Sequence, residues 1–302
     1  MIRTSPVVCF GEVLWDCLPD KKVLGGAPAN VAVRLSQLGL PAFLVSAVGE
    51  DNAGRDIIKE LSELGVDTRH VQCNSQKTGR VEVTLSDDKN PRFVIEQDVA
   101  YDYIRPEVEL EALLSSCSVL VFGTLAQRSP QTASTLFWLM ERAPQATKVL
   151  DVNLRKDCYS AESIKKSLEA TDIVKLNETE LLILSDLLKI SSDRGHHNFL
   201  KLLNEQFSLQ GSILTRGEKG VFCLTKENQE IVVPAKSISV VDTIGAGDAF
   251  TAGLASGLYH KFSLERCCMI GNEMGAAAAQ SEGGTGRLPK DFDIPALFEK
   301  VD

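Results

Sequence analysis

The chain has 302 residues, 44% of them hydrophobic, with 32 basic and 41 acidic side chains and a formal net charge of −9. This length and apolar content suit a single large α/β unit with an appendage. The acidic balance, with no basic stripe to offset it, argues against nucleic acid as a partner, because phosphate binding needs a basic surface. No apolar run reaches the roughly 18–20 residues that a bilayer span requires, so no membrane association is expected.

Met1-Ile2-Arg3-Thr4-Ser5-Pro6 leads straight into the first strand-like run, Val7–Phe10, with no secretory hydrophobic stretch. Further strand-like runs follow at Ala42–Val48, Val119–Phe122, Lys148–Val152, Ile173–Leu176, Ser212–Leu214 and Val221–Leu224. Between them lie amphipathic helical patterns at Ala53–Leu64, Gln131–Arg142, Ser163–Ala170 and Glu178–Leu188. Buried strands alternating with helices predict a mostly parallel sheet covered on both faces, with ligands at the carboxyl ends of its strands. Two regions, Glu12–Leu24 and Thr78–Asp102, break the alternation. In the second, Val81, Val83 and Leu85 and then Phe93 and Ile95 alternate with polar residues around the turn Asp87-Asp88-Lys89-Asn90-Pro91, as in a hairpin with one apolar face. So small a sheet cannot bury itself and must cover a substrate, another subunit, or both.

The cysteines at 9, 17, 73, 117, 158, 223, 267 and 268 form no C-x-x-C pair, and most lie in apolar segments. They read as reduced thiols of a cytoplasmic protein. The histidines at 70, 196, 197 and 260 make no zinc spacing with them. His196-His197, after the polar run Ser191-Ser192-Asp193-Arg194-Gly195, reads as a solvated loop.

The most informative stretch is Asp242-Thr243-Ile244-Gly245-Ala246-Gly247-Asp248. Its glycines allow backbone N–H groups to converge, and the helix predicted behind it by Phe250, Leu254 and Leu258 adds its positive end, which makes an anion site. A carboxylate at the lip of such a site would repel phosphate in a simple binding loop. In a phosphoryl-transfer site it would take the proton from an attacking hydroxyl, so Asp248 is the candidate general base. Gly245, Ala246 and Gly247 would offer amides to the charge on the moving phosphoryl group. The helix-start position should favour the ionised form, so the pKa of Asp248 need not be high. Neither a Walker A sequence nor a G-x-G-x-x-G fingerprint is present.

The heptapeptide resembles the C-terminal signature of the PfkB-type (ribokinase-like) carbohydrate kinases. Gly25-Gly26-Ala27-Pro28-Ala29-Asn30, running on to Gly39 and Gly49, resembles the N-terminal one. The resemblance covers about Val7 to Pro289 and implies a ribokinase-like α/β fold with residues 12–24 and 78–102 as a β lid over the sugar, often shared across a dimer. Gly25, Gly26 and Asn30 would then meet sugar hydroxyls, although by spacing alone they equally make an ordinary helix entry opened by Pro28. Asp16, an unremarked loop aspartate on spacing alone, would accept two sugar hydroxyls.

Asn177 and Glu180 are similar to the family's N-x-x-E element, with Glu180 organising water around Mg²⁺ and Asn177 reaching the phosphates. The same pair also reads as a capping box. The neighbouring Lys175 joins them on the nucleotide side, as do Thr215, Gly217 and Gly220 of the nucleotide-proximal turn. The family usually has a small or apolar residue where Arg216 stands. Asn272 and Gly275 would flank adenine on a later helix. Arg155, at the end of Asp151-Val152-Asn153-Leu154-Arg155, suits a phosphate or an acidic sugar group, or is a surface arginine. Asp242, Ile244 and the 281–286 loop could hold K⁺, as in several relatives. The motifs Phe10-Gly11-Glu12, Gly25–Asn30, Asp151–Arg155 and Val99-Ala100-Tyr101-Asp102 look most like bacterial fructokinases. The expected activity is therefore ATP-dependent phosphorylation of fructose. The alternatives are a 2-keto-3-deoxygluconate or ribose kinase, and a non-catalytic sugar sensor.

Overall fold

Apolar runs too short for helices form the central strands of a computed structural model that describes residues 5–85, 91–193, 195–281, 283–286, 288–289 and 292–299. The strands of the large sheet are β1 (Val7–Phe10), β4 (Ala42–Gly49), β5 (Val71–Asn74), β8 (Val119–Phe122), β9 (Thr147–Asp151), β10 (Ile173–Asn177), β11 (Gly211–Thr215), β12 (Val221–Thr225) and β13 (Glu230–Val233). Their order is β13-β12-β11-β10-β9-β8-β1-β4-β5. Pairing is parallel from β5 through β11, and β12 and β13 are added antiparallel at one edge.

The period-2 alternation of each strand divides its side chains between two cores. Val8, Phe10, Leu120 and Phe122 enter one core, while Val7, Cys9, Val119 and Val121 enter the other. The first core is covered by α4 (Pro130–Arg142), α5 (Ala161–Glu169), α6 (Glu178–Leu188) and α7 (His196–Phe207), through Leu136, Ile164, Leu184 and Phe199. The second is covered by α1 (Ala27–Gln37), α2 (Asn52–Glu63), α8 (Ala246–Tyr259) and α9 (Leu264–Ala278), through Leu35, Ile57, Leu254 and Cys268. Two short helices, α3 (Leu110–Leu114) and α10 (Ile294–Phe298), complete the set. Among the described residues no helix is long and apolar enough to cross a membrane, and all eight cysteines are free.

A separate four-stranded sheet holds β2 (Leu14–Cys17), β3 (Lys22–Gly25), β6 (Arg80–Leu85) and β7 (Pro91–Ile95) in the order β3-β2-β6-β7. The predicted hairpin is β6–β7, with Val81 opposite Ile95. Residues 87–90 of its predicted turn lie outside the described residues. The irregular Glu12–Leu24 region supplies two strands: Asp16 pairs with Val23 in β3, and β2 runs parallel to β6.

Arg128 ties this sheet to the body. Its guanidinium donates to both oxygens of Asp102 at 2.8 Å and to the Glu96 carbonyl just past β7 at 2.7 Å, and it lies 5.0 Å over the Tyr101 ring.

Two sequence expectations need correction. His196-His197 opens α7 and is not a solvated loop, and His196 meets the Phe222 ring edge-on at 4.5 Å. Phe199, Leu200, Leu203 and Phe207 bury one helical face there, so tertiary packing decides the segment despite its polar approach. The edge strands β5 and β13 also escaped the sequence reading. Each is four residues long and only partly buried, so neither makes a continuous apolar run.

Candidate active site

At the head of α8 the heptapeptide makes the turn expected of it. Gly245 caps the helix at φ 76°, a left-handed conformation that costs an L side chain strain, and a Cβ there would collide with the backbone of Gly284. Ala246, Gly247 and Asp248 follow as the first helical residues, so their amides lack intrahelical partners, although Ala246 N donates to the Thr243 carbonyl at 3.2 Å.

Asp248 Oδ2 accepts from Asn30 Nδ2 at 2.7 Å, which links α8 to α1. Among the described residues Asn30 Oδ1 has no partner. Burial, then the charge of Asp151, pushes Asp248 up to about 6, against the pull of Asn30, Lys175 and Arg155. The helix terminus does not keep its pKa low as the sequence suggested, because desolvation outweighs a terminal dipole that is worth about 1 kcal/mol.

Gly25 ends β3 of the small sheet, opposite Leu14 of β2, and Gly26 follows it. Gly26 caps α1 at φ 102°, and a Cβ on it would lie 2.5 Å from the Glu12 carbonyl. The Asp16 carboxylate packs onto the bare Cα of Gly25. Burial raises the Asp16 pKa and the charge of Arg155 opposes it. Arg155 itself is exposed; among the described residues it donates only to the Leu154 carbonyl and has no carboxylate within ion-pair distance. It is nevertheless felt electrostatically by Glu12, Asp16 and Asp248 together.

On the other side of Asp248, Lys175 is buried on β10. Its Nζ lies 3.0 and 3.1 Å from the Asp151 oxygens and 3.1 Å from where a Cβ on Gly247 would stand. Asn177 and Glu180 form the capping box of α6: Asn177 Oδ1 accepts from Glu180 N at 2.9 Å and Glu180 Oε2 from Asn177 N at 2.8 Å. Glu180 Oε1 also accepts from Leu154 N at 3.0 Å, and burial raises its pKa. Both oxygens are held by backbone amides and each keeps a second lone pair, which fits a carboxylate that orders water around a cation better than a direct ligand.

The remaining predicted nucleotide residues adjoin this edge. Thr215 hydrogen-bonds the Leu176 carbonyl, Gly220 packs on the backbone after β13, and Asn272 donates to the Pro234 carbonyl at 3.0 Å. Gly275 brings α9 against α8, with its absent Cβ 3.2 Å from the Ala246 carbonyl. Gly217 is exposed in the turn before Gly220. Arg216 donates to the Lys219 carbonyl and lies 5.9 Å over the Phe222 ring. Asp242 accepts from Ile244 N at 2.9 Å and Gly283 N at 3.0 Å, so the predicted cation residues do adjoin the 283–286 loop.

Several residues at this site were given no role in the sequence, although Glu12 and Asp151 stand in motifs quoted there. Glu12 is buried, accepts from Ala27 N at 3.2 Å, and is pushed up to about 7 by burial; its Oε2 has no partner among the described residues. Arg34 is fully buried one turn after Asn30 and donates to the Gly286 carbonyl at 2.6 Å, which seats that loop beside Asn30. Asp151 and Thr251 are joined at 2.7 Å. A charged residue inside an apolar helical pattern was the available signal for Arg34. For Asp151 it was a carboxylate ending an apolar strand, and for Glu12 a carboxylate two residues past one. Among the described residues no group of three or more His, Cys, Asp or Glu converges as a metal cage.

A parallel sheet that collects a glycine-capped helix, a desolvated carboxylate and a buried lysine at the carboxyl ends of its strands is an arrangement for phosphoryl transfer. The chain belongs to the pfkB family of carbohydrate kinases, whose profile matches residues 5–291. It is 31% identical to an uncharacterised sugar kinase of Pyrococcus horikoshii over 310 residues, covering 94% of this chain and 93% of the other. A fructokinase of Xylella fastidiosa solved with bound ATP superimposes with a TM-score of 0.84 at 26% identity, over 97% of this chain and 98% of that one. A fructokinase double mutant from Vibrio cholerae, solved with fructose, ADP and potassium, gives a TM-score of 0.80 at 25% identity over 98% and 99% of the two chains. The protein is an ATP-dependent carbohydrate kinase with the ribokinase-like fold.

Proposed function

We propose that the sugar is fructose and that Asp248 is the base. The observation that carries this reading is the Asn30–Asp248 hydrogen bond of 2.7 Å, which joins the desolvated carboxylate just past the Gly245–Gly247 turn to α1, the helix that Gly26 caps. In this mechanism Asp16 accepts hydrogen bonds from the sugar, Asn30 orients both the sugar and Asp248, and Asp248 takes the proton of the attacking hydroxyl. The amides of Gly245, Ala246 and Gly247, with Lys175, meet the charge on the moving phosphoryl group. Lys175, Asn177, Thr215, Gly217, Gly220, Asn272 and Gly275 form the nucleotide side. Mg²⁺ on the nucleotide would neutralise phosphate charge, with Glu180 holding its water. K⁺ would sit by Asp242 and Ile244; that the Vibrio cholerae fructokinase was solved with potassium supports the choice of ion. The small sheet closes over the sugar and excludes water, a competing acceptor.

A panel of sugars in a coupled ATP-consumption assay tests the substrate. Fructose is expected to give the highest kcat/KM, by about tenfold or more over ribose and 2-keto-3-deoxygluconate. The last of these is the specific competitor, because exposed Arg155 has no carboxylate partner among the described residues and suits an acid group. If it exceeds fructose, it replaces fructose as the substrate. Asp16→Ala should raise the KM for the sugar by about tenfold or more with a smaller change in that for ATP, consistent with losing one or two charge-assisted hydrogen bonds. An unchanged sugar KM would remove Asp16 from the site.

We further propose that the protein works in the cytoplasm and that the exposed face of the small sheet, where Val94 is 57% exposed, pairs two copies. Sedimentation that finds only monomer at micromolar concentration would contradict the pairing.

A further inference from the structure

Asp151 ends β9 at 3% exposure, and its carboxylate joins three elements. It receives Lys175 Nζ from β10 at 3.0 and 3.1 Å, and Oδ2 also receives Thr251 Oγ1 from α8 at 2.7 Å. Thr251 lies one turn past Gly247 and Asp248, and its hydroxyl also meets the Gly247 carbonyl at 3.1 Å. Lys175 in turn stands directly under Gly247. Three carboxylates, those of Asp151, Glu180 and Asp248, therefore act on one buried ammonium, and in the structure Asp151 holds it.

We propose that Asp151 is a positioning residue for phosphoryl transfer: by holding Lys175 under Gly247 and Thr251 at the root of α8, it keeps the ammonium directed at the anion site and away from Asp248. A lysine free to pair with Asp248 would stabilise that carboxylate and weaken it as a base. A lysine held by Asp151 leaves the base desolvated while its charge still reaches the phosphoryl group. The other groups that face Asp248 are Glu12 after β1, Arg155 after β9, Arg34 on α1 and the neutral Asn30. None of them ties Lys175.

The inference rests on Asp248 being the base, and three variants separate the two claims: Asp151→Asn, Thr251→Val and Asp248→Asn. For each, kcat/KM for the sugar is measured against pH, and folding is followed by thermal melting. Asp151→Asn is expected to lower kcat by about 10–100-fold, the usual cost of misplacing a reacting group. It should also move the acid limb of the profile to lower pH, because the Asp151 charge that raises Asp248 is gone and the released ammonium turns to Asp248. Thr251→Val keeps the ion pair and should lose several-fold in kcat with the acid limb unmoved. A purely structural role for Asp151 would lower the melting temperature and the active fraction but leave kcat per folded enzyme unchanged, and that result overturns the proposal. If Asp151→Asn does not fold, wild-type kcat in Thr251→Val overturns it instead. Full activity of Asp248→Asn would refute the base assignment, whatever the other two variants do.

Discussion

Asp248→Asn is expected to lower kcat by about 10²–10⁴-fold, the range for losing a general base, with the fold intact. The substitution is nearly isosteric, and the Asn30 amide can still donate to the new carbonyl oxygen, so the junction of α1 and α8 survives. The amides of the Gly245–Gly247 turn and the Lys175 charge remain, which leaves a residual rate. The pH dependence follows from the same residue. Burial and the Asp151 charge hold Asp248 up at about 6, and only its carboxylate form accepts a proton, so kcat/KM should fall as pH drops through about 6. In Asp248→Asn that acid limb should vanish. Turnover equal to wild type at pH 7 would remove the residue from its role.

Asp102→Ala should destabilise the fold by about 3–5 kcal/mol, because it strips the counter-ion from a buried guanidinium. The side chains of Arg128 and Asp102 are only 11% and 8% exposed, and their bidentate bond also fixes the Glu96 carbonyl at the exit of β7. Asp102 accepts as well from Val99 N at 3.1 Å, so its loss also leaves that buried amide unpaired. The joint between the small sheet and the body should therefore loosen along with the loss of stability. Urea unfolding measures the effect. Replacing both partners with apolar residues, as in Asp102→Leu with Arg128→Met, should recover much of it, because no charge is then left unpaired. A single-variant loss below about 1 kcal/mol would mean that water or a rearranged Arg128 solvates the charge.

The parts of this architecture legible in the sequence are those set by local physics. Val7–Phe10 and Val119–Phe122 are apolar runs with a strand's length, and both are strands with those bounds. Asn177 and Glu180 are three apart before an apolar run, and they close the capping box of α6. The glycine at 245 stands where a left-handed cap is needed, with Phe250 and Leu254 of the predicted helix buried behind it.

What was not legible depends on groups distant in the chain. The ionic bond of Asp151 with Lys175 and its hydrogen bond to Thr251 span β9, β10 and α8, and no spacing rule relates them. The high pKa values of Glu12 and Asp248 come from desolvation, which exists only once α1, α8 and the strand ends have converged. The strands β2 and β3 are four residues each, and Asp16, Cys17, Lys22 and Val23 within them are not fully buried, so neither period nor length marks them. The α7 helix was hidden behind a polar approach, although Phe199, Leu203 and Phe207 carried its period.

The most direct test is a crystal structure of the wild-type enzyme with fructose and a non-hydrolysable ATP analogue. The account predicts one fructose hydroxyl oxygen about 2.6–3.2 Å from the Asp248 carboxylate, in line with the terminal phosphorus, and that phosphate against the amides of Gly245, Ala246 and Gly247. An acceptor hydroxyl held by another group, with Asp248 turned away from both ligands, would contradict it.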